Sequence, residues 1–328
     1  MKKHVAVVVD IVTGSSQGIG QALAEYIAHE RSQSREDDVA AGGYWLVLVG
    51  RSQERGSHVH QSIQRKHPNL KVAFEACDLS DWKAVQQLQE RIAATVVKSN
   101  NSKSHKDYQV GILVNNAAEC PPRQKFVERN QKDHGRVKVD KQFASNVLGH
   151  HFMMRAFEDH FVMATTASDN SDDTGSATSS VSATTTTHIV NVASDWAGDL
   201  DLTDVHFQRR RYDNDSAYRQ SKQCDRMLSH HWSQRLQGKA LVNACHPGDP
   251  CTTLSTALGY NLYAGAPMRN QIAHDSPFPY LCGLSGQKLT TTGGWYSGTS
   301  TKAYRCGFER LAQDRERLFE LCESFCTS

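Results

Sequence analysis

Six short runs rich in valine, isoleucine and leucine alternate with longer stretches of helical periodicity, and that alternation constrains the fold more than any other feature of the chain. The runs are residues 5–12, 44–49, 72–76, 110–114, 188–192 and 240–244. Helical patterns cover 19–29, 53–66, 82–97, 143–161 and 218–236, and a closing amphipathic helix is expected over 309–323. Strands that are apolar on both faces belong in a parallel sheet covered on both sides. Strand and helix in alternation then give an α/β fold, a doubly wound parallel sheet with helices on both faces. The 328 residues can build one large core, so a single domain over 1–328 is expected.

Composition narrows the class. Apolar residues at 38% and charged residues at 22% give a soluble globular balance. A net charge of +2 is far from the basic excess of a nucleic-acid binder. The densest basic spot, Arg209-Arg210-Arg211, reads as a solvated loop. Nine cysteines without a C-x-x-C pair read as reduced thiols of a cytoplasmic protein. The adjacent pairs His150-His151 and His230-His231 point about 100° apart on a helix, so they do not converge on one ion. Cys322 and Cys326 share a helix face and read as packing, and no metal is expected. No run of 18 apolar residues is present, so no membrane span is expected. The opening lysines and valines look like a signal peptide, but Asp10 interrupts them and a glycine motif follows at once, which favours a buried first strand.

Three polar insertions, 32–43, 98–107 and 164–187, break the pattern. The last, ATTASDNSDDTGSATSSVSATTTT, lacks the apolar surface to offset its ordering entropy and is expected to be disordered. All three follow a helix and precede a strand. They therefore sit at the amino ends of parallel strands, away from the carboxyl ends where ligands bind.

The first strand runs into Thr13-Gly14-Ser15-Ser16-Gln17-Gly18-Ile19-Gly20, with a helix starting inside the motif. Glycines permit a tight turn and close backbone approach to a pyrophosphate, and the helix amino end offers free N–H groups. Placed between a buried strand and a helix, the turn points to a Rossmann-type dinucleotide fold. The second strand ends in Val49-Gly50-Arg51-Ser52. An acid there would hold the 2′-hydroxyl of NAD. Arg51 stands there instead, and a guanidinium fork suits a 2′-phosphate, so NADP is preferred over NAD. Arg51 lies 31 residues after Gly20, beyond the usual offset of about 20; the 32–43 insertion accounts for the excess. A plain surface arginine is the competing reading.

Tyr218 and Lys222, four apart in a helical stretch, share one face. A neighbouring ammonium, and the positive ring of a nicotinamide, lower a phenol's pKa toward the range of useful proton exchange. Ser194 follows the run 188–193 at a strand's carboxyl end, where its hydroxyl can bond a substrate oxygen. Asn146 lies mid-helix, where a short polar side chain is unfavourable without a purpose. Each alone also reads as a satisfied core group.

Together with the motifs TGSSQGIG at 13–20, VGRS at 49–52, CDLS at 77–80, NNAA at 115–118, SNVLG at 145–149, NVAS at 191–194, YRQSK at 218–222 and HPG at 246–248, the chain resembles a classical-type short-chain dehydrogenase/reductase over nearly all of 5–325. The resemblance implies that Asn146, Ser194, Tyr218 and Lys222 form a catalytic tetrad. It implies a cofactor site of Gly14, Ser15, Ser16, Gly18, Ile19, Gly20, Arg51, Ser52, Asp78, Leu79, Asn116, Ala117, Tyr218, Lys222, Pro247, Gly248 and Thr252. Within it, Asp78 and Leu79 would flank the adenine and Thr252 would touch the nicotinamide carboxamide. The 24-residue gap from Ser194 to Tyr218 resembles the retinol-dehydrogenase-like and WW-domain-oxidoreductase-like branch, as do DLDLTDVHFQRRRYDNDSAYRQSK and GGWYSG. Ala118 departs from the family's usual glycine. Asp249-Pro250 departs from the branch's apolar residues and puts its substrate preference in doubt.

The implied reaction is reversible hydride transfer between NADP(H) and a carbonyl/alcohol pair. Tyr218 would give the proton, Ser194 hold the oxygen, Lys222 bind the nicotinamide ribose and lower the tyrosine pKa, and Asn146 steady a water. The stretch 252–280 is expected to form a substrate lid. Its stripe of Leu254, Leu258, Tyr260, Leu262, Tyr263, Met268 and Phe278 reads either as core or as the wall of an apolar site for a lipid aldehyde, retinoid, steroid or aromatic ketone. The family implies a homodimer or homotetramer through helices 143–161 and 218–236. The alternatives are a dinucleotide-binding regulatory or scaffold protein with little turnover and, disfavoured by the Gly14–Gly18 spacing, a sugar-nucleotide epimerase.

Overall fold

The computed structural model describes residues 7–33, 43–99, 108–164, 185–248, 254, 268–308 and 310–327. Its strands are β1 (Val7–Thr13), β2 (Tyr44–Gly50), β3 (Lys71–Ala76), β4 (Tyr108–Asn115), β5 (Phe126–Gln131), β6 (Gly135–Asp140), β7 (Thr187–Val192), β8 (Ala240–Cys245) and β9 (Trp295–Tyr296). Its helices are α1 (Gly18–Gln33), α2 (Gln53–Lys66), α3 (Trp82–Ser99), α4 (Lys141–Phe143), α5 (Gly149–Ala156), α6 (Asn214–Arg235), α7 (Met268–His274), α8 (Phe278–Leu281) and α9 (Ala312–Glu323), with a π-helical turn Ala144–Leu148 joining α4 to α5.

Seven strands form one parallel sheet in the order β3-β2-β1-β4-β7-β8-β9. The six apolar runs are six of these strands, and the sheet is the doubly wound α/β sheet the alternation implies. The chain winds outward one way from β1 to β3 and the other way from β4 to β9. That reversal leaves a crevice above the carboxyl ends of β1 and β4.

Alternating side chains fill two cores. Val9 and Ile11 of β1 and Val47 of β2 face Leu88 and Ile92 of α3, Phe152 of α5 and Trp232 of α6. Leu46 and Leu48 of β2 face the other way, with Leu23 and Ile27 of α1 and Ile63 of α2. The stretch expected as a lid is described mainly over 268–281. There Phe278 of the apolar stripe is buried in the second core beside Ile272 and Leu281, so it is core, whereas Leu254 lines the crevice. Apart from Leu254, the remainder of 252–280, most of the three insertions and Asp249-Pro250 lie outside the described residues.

Two elements differ from expectation. The helix expected over 143–161 ends at Ala156 and carries the π turn, and Glu158–His160 is a 3-10 turn. The antiparallel hairpin β5–β6 was not foreseen, because its strands alternate half-buried and exposed residues instead of forming apolar runs. Its turn bends through Asp133 and Gly135, both at positive φ. The closing helix α9 lies on α6, with Phe319 stacked on His231 at 3.9 Å between ring centres, and Glu323 reaches His151 on α5 at 3.0 Å. The helix α9 thus touches both α5 and α6.

Two buried histidines make stability depend on pH. Burial pushes His188 and His206 down to about 4, against about 6.5 for a free imidazole. Between those values the unfolded chain binds protons that the folded chain refuses. The stability is therefore full above about pH 6.5 and is lost as pH falls toward 4. Asp140, pushed up to about 6 by burial, has the opposite sign: its folded carboxyl binds a proton more tightly than the unfolded one, which offsets roughly one histidine. A net loss of about 3–4 kcal/mol is expected by about pH 4, a Tm lower by about 5 °C. Thermal melts of the wild type and His206→Gln check this: the variant's pH slope is shallower, and equal slopes would remove His206 from the account.

Candidate active site

The glycine turn is clamped from below by the end of β4. Gly14 and Gly18 stand at φ +66° and +59°, a region that favours glycine. The Thr13 hydroxyl donates to Val114 O (3.1 Å) and accepts the N–H groups of Asn116 (2.9 Å) and Ala117 (3.1 Å). The Asn116 amide donates to Thr13 O at 2.9 Å. This cross-strand knot, with Thr13 at its centre, was not anticipated from the sequence. Ser16, Gly18, Ile19 and Gly20 line the crevice with Gly14, whereas Ser15 is turned inward, its hydroxyl on Val49 O at 3.2 Å.

The carboxyl ends of β2 and β3 form the next part of the wall. Arg51 lines the crevice together with Arg55, which no sequence motif singles out. The Arg51 guanidinium lies 3.2 Å from the Glu119 carboxylate and is half exposed. Ser52 does not share that wall and instead caps α2, accepting the Arg55 N–H at 3.3 Å. Asp78 and Leu79 both line the crevice. Burial alone would raise the Asp78 carboxyl, but hydrogen bonds from Ser80 and the charge of Lys141 outweigh it and hold it below the usual range. Lys141 Nζ stands 3.5 Å from Asp78 and 3.9 Å from Glu119.

The far wall carries the polar cluster. β7 and α6 bring Ser194, Tyr218 and Lys222 together, all at least nine-tenths buried, with the Ser194 hydroxyl near enough to act on the Tyr218 phenol. Lys222 Nζ lies 5.8 Å from the Tyr218 ring centre and donates to Val192 O at 2.7 Å. The phenol is pushed up, not down as the lysine spacing alone suggested: burial is the largest influence, and Lys222 and Ser194 pull against it. The Lys222 ammonium is also shifted up, because Asp225 and then Tyr218 outweigh the burial that would lower it.

Asn146 sits in the π turn, a feature often found where a helix serves a site. Its oxygen accepts the Glu119 N–H (2.9 Å), and its amide donates to Glu119 O (3.0 Å) and Ser221 Oγ (3.2 Å). The side chain thus clamps the segment after Ala118 and does not itself line the crevice. Ala117 and Pro247 do line it; Gly248 turns the chain at φ +85°, and Thr252 lies outside the described residues. Where α5 meets α9, His151, Glu323 and Cys326 offer ligand atoms within 4.8 Å of one another. Trp232 donates to His151 Nδ1 at 3.3 Å, leaving the Nε2 hydrogen for Glu323, so neither ring nitrogen offers a lone pair to an ion.

The geometry suits a dinucleotide. Arg51 at the end of β2 and Ser194 at the end of β7 are three strand spacings apart, roughly 14 Å, with the amino end of α1 between them. Comparison with known proteins agrees. A family model described as short chain dehydrogenase matches residues 8–261. Retinol dehydrogenase 13 of Mus musculus is 28% identical over 254 residues, covering 76% of this chain and 60% of the relative. Polyprenol dehydrogenase of Homo sapiens is 23% identical over 243 residues, covering 73% and 60%. The chain thus spans about 60% of the length of these relatives. Among solved structures, an uncharacterized protein from Mycobacterium Paratuberculosis matches with a TM-score of 0.61 at 17% identity, over 98% of this chain and 93% of that one. A short chain dehydrogenase from Escherichia coli CFT073 complexed with NADPH matches at 0.54 and 18%, over 90% and 99%.

Proposed function

This chain belongs to the short-chain dehydrogenase family, and from that premise we propose that it is an NADP(H)-dependent oxidoreductase that interconverts a carbonyl and an alcohol on a fairly apolar small molecule. The observation that carries the reading is the placing of Tyr218 and Lys222 on the wall of the crevice above the glycine turn, with Ser194 buried beside Tyr218. Bound there, a nicotinamide dinucleotide would supply or accept the hydride. The amino end of α1 offers N–H groups to its pyrophosphate. Lys222 holds its ribose, Ser194 holds the substrate oxygen and stabilises charge developing on it, and Tyr218 delivers or removes the proton at that oxygen.

Arg51 and Arg55 support the 2′-phosphate, since both are cations on the crevice wall beside the end of β2. The ion pair of Arg51 with Glu119 is half exposed on the arginine side and is worth little there, so a phosphate can replace it. An apolar substrate is supported by Leu254 on the crevice wall and by relatives named for retinol and polyprenol. A reducing, cytoplasmic setting is consistent with the free thiols of all eight described cysteines.

The test is a screen of retinal, long-chain aldehydes, aromatic ketones and short polar aldehydes, following loss of NADPH or NADH absorbance. Turnover of the apolar carbonyls with NADPH preferred is the expected result. Tight nucleotide binding with no turnover of any carbonyl or alcohol would instead favour a regulatory dinucleotide-binding role. In the same assay Arg51→Ala is expected to weaken NADPH by about 10–100-fold, as removal of a charge-assisted bond does, and to leave NADH nearly unchanged. Equal losses for the two nucleotides would sink the 2′-phosphate assignment.

A further inference from the structure

Behind Lys222 lies a second buried pair. The Asp225 carboxylate accepts from Lys222 Nζ at 2.9 Å through one oxygen, and its other oxygen lies 2.9 Å from His150 Nδ1. His150 Nε2 lies 2.9 Å from the carbonyl of Ala117, a crevice residue. All three ionisable side chains are at most 2% exposed. We propose that Asp225 and His150 are positioning residues that hold Lys222 Nζ as an ammonium beside Tyr218. The inference rests on the oxidoreductase reading for its purpose, while its geometry stands apart from it.

Hydrogen-bond accounting leads to this assignment. An ammonium has three hydrogens, and here Val192 O and Asp225 take two, leaving one for the crevice. A carbonyl only accepts, so His150 Nε2 carries a hydrogen. The bond between Nδ1 and the carboxyl then needs another hydrogen, on the ring or on the acid. In either arrangement, with Lys222 as an ammonium, the trio carries one net positive charge. The line of bonds ends on the carbonyl of Ala117.

The surroundings leave Asp225 as the counter-ion. Tyr218 on the same helix and Cys245 on β8 lie within electrostatic reach of Lys222, as do Cys224 and Cys322 of Asp225. Burial raises each of these thiols well above its ordinary value, so none is a thiolate near neutral pH. An isolated buried ammonium would shed its proton.

Competitive acetylation with acetic anhydride across a pH series, read by peptide mass spectrometry, measures how readily Lys222 becomes a free amine, with exposed Lys66 as internal reference. In the wild type, the Lys222 midpoint is expected at or above that of Lys66 despite burial. A midpoint well below it overturns the proposal without any variant. In Asp225→Asn the midpoint is expected to fall by about one pH unit or more, making roughly tenfold more free amine at a given pH. An unchanged midpoint, even with lost turnover, would mean that Asp225 is merely structural. For His150, the alanine variant is expected to lower kcat by about tenfold with little change in KM, and His150→Asn, whose amide can still donate to Asp225, to recover most of it. Equal kcat in both variants removes His150 from the pair. An enzyme that turns over nothing defeats the functional reading, whereas the acetylation midpoints judge the Asp225 inference independently.

Discussion

Tyr218→Phe is expected to reduce kcat/KM for any carbonyl substrate by about 10²–10⁴-fold, the usual contribution of a placed proton donor, while the protein folds and binds nucleotide as before. The ring is buried and the substitution keeps it. Only the hydroxyl goes. Ser194 loses that partner, but its Oγ still accepts the Trp196 N–H at 3.1 Å, so no buried group is stranded. Lys222 keeps its bonds to Val192 O and Asp225. Melting should therefore move little, and NADPH affinity should change by no more than about threefold, since the phenol's bond is to a substrate oxygen. Single-turnover hydride transfer beside fluorescence titration of NADPH separates the two effects. A variant that binds nucleotide and reduces carbonyls at the wild-type rate would show that another group supplies the proton. One that binds no nucleotide would place the phenol in the cofactor site first.

The local turn and the strands were legible because each is encoded by residues close in sequence. Glycine at positions 14 and 18 is demanded by positive φ, and valine-rich runs are demanded by burial on both faces. The hairpin β5–β6 was missed because half-exposed antiparallel strands carry no apolar run, although Asp133 and Gly135 mark its turn. The lowering effect of Lys222 on Tyr218 was legible, but the net direction was not, for a related reason. The lysine four residues on is visible in the sequence, whereas the depth of burial that outweighs it comes from β7, α6 and the segment after β4 closing together.

Residues 119, 141, 150 and 225 show the same limit from another side. Glu119 follows NNAA, His150 lies four residues after Asn146, and Asp225 lies three after Lys222. Each is next to a legible motif, yet none carries a signal by itself. Their meaning lies in pairings across 75 residues, as between His150 and Asp225. Asn146 illustrates the reverse case. Its position was legible, but the structure directs its side chain to the backbone of Glu119, a contact that no spacing rule contains.

Gly20 is packed directly against the turn, and Gly20→Ala is expected to weaken NADPH by about 100-fold or more and to cost about 1–3 kcal/mol of stability, as overpacking does. A Cβ there would lie 2.4 Å from Gly14 O and 2.5 Å from the Asn116 amide nitrogen. Neither neighbour can give way cheaply. Gly14 is backbone held at φ +66°, and the Asn116 amide is tied to Thr13 O at 2.9 Å within the knot that Thr13 makes with β4. Relief requires α1 to lift off the turn by about an ångström, which carries its free N–H groups away from the pyrophosphate they would hold. Gly238 provides the contrast. It too has positive φ, at +77°, but a Cβ there meets nothing within 4 Å. Gly238→Ala should cost only the backbone strain, about 1 kcal/mol, with nucleotide affinity unchanged. Thermal melts and NADPH titrations on the two variants together decide the matter. If Gly20→Ala binds NADPH as tightly as Gly238→Ala does, the close packing of helix on turn is not what shapes the nucleotide site.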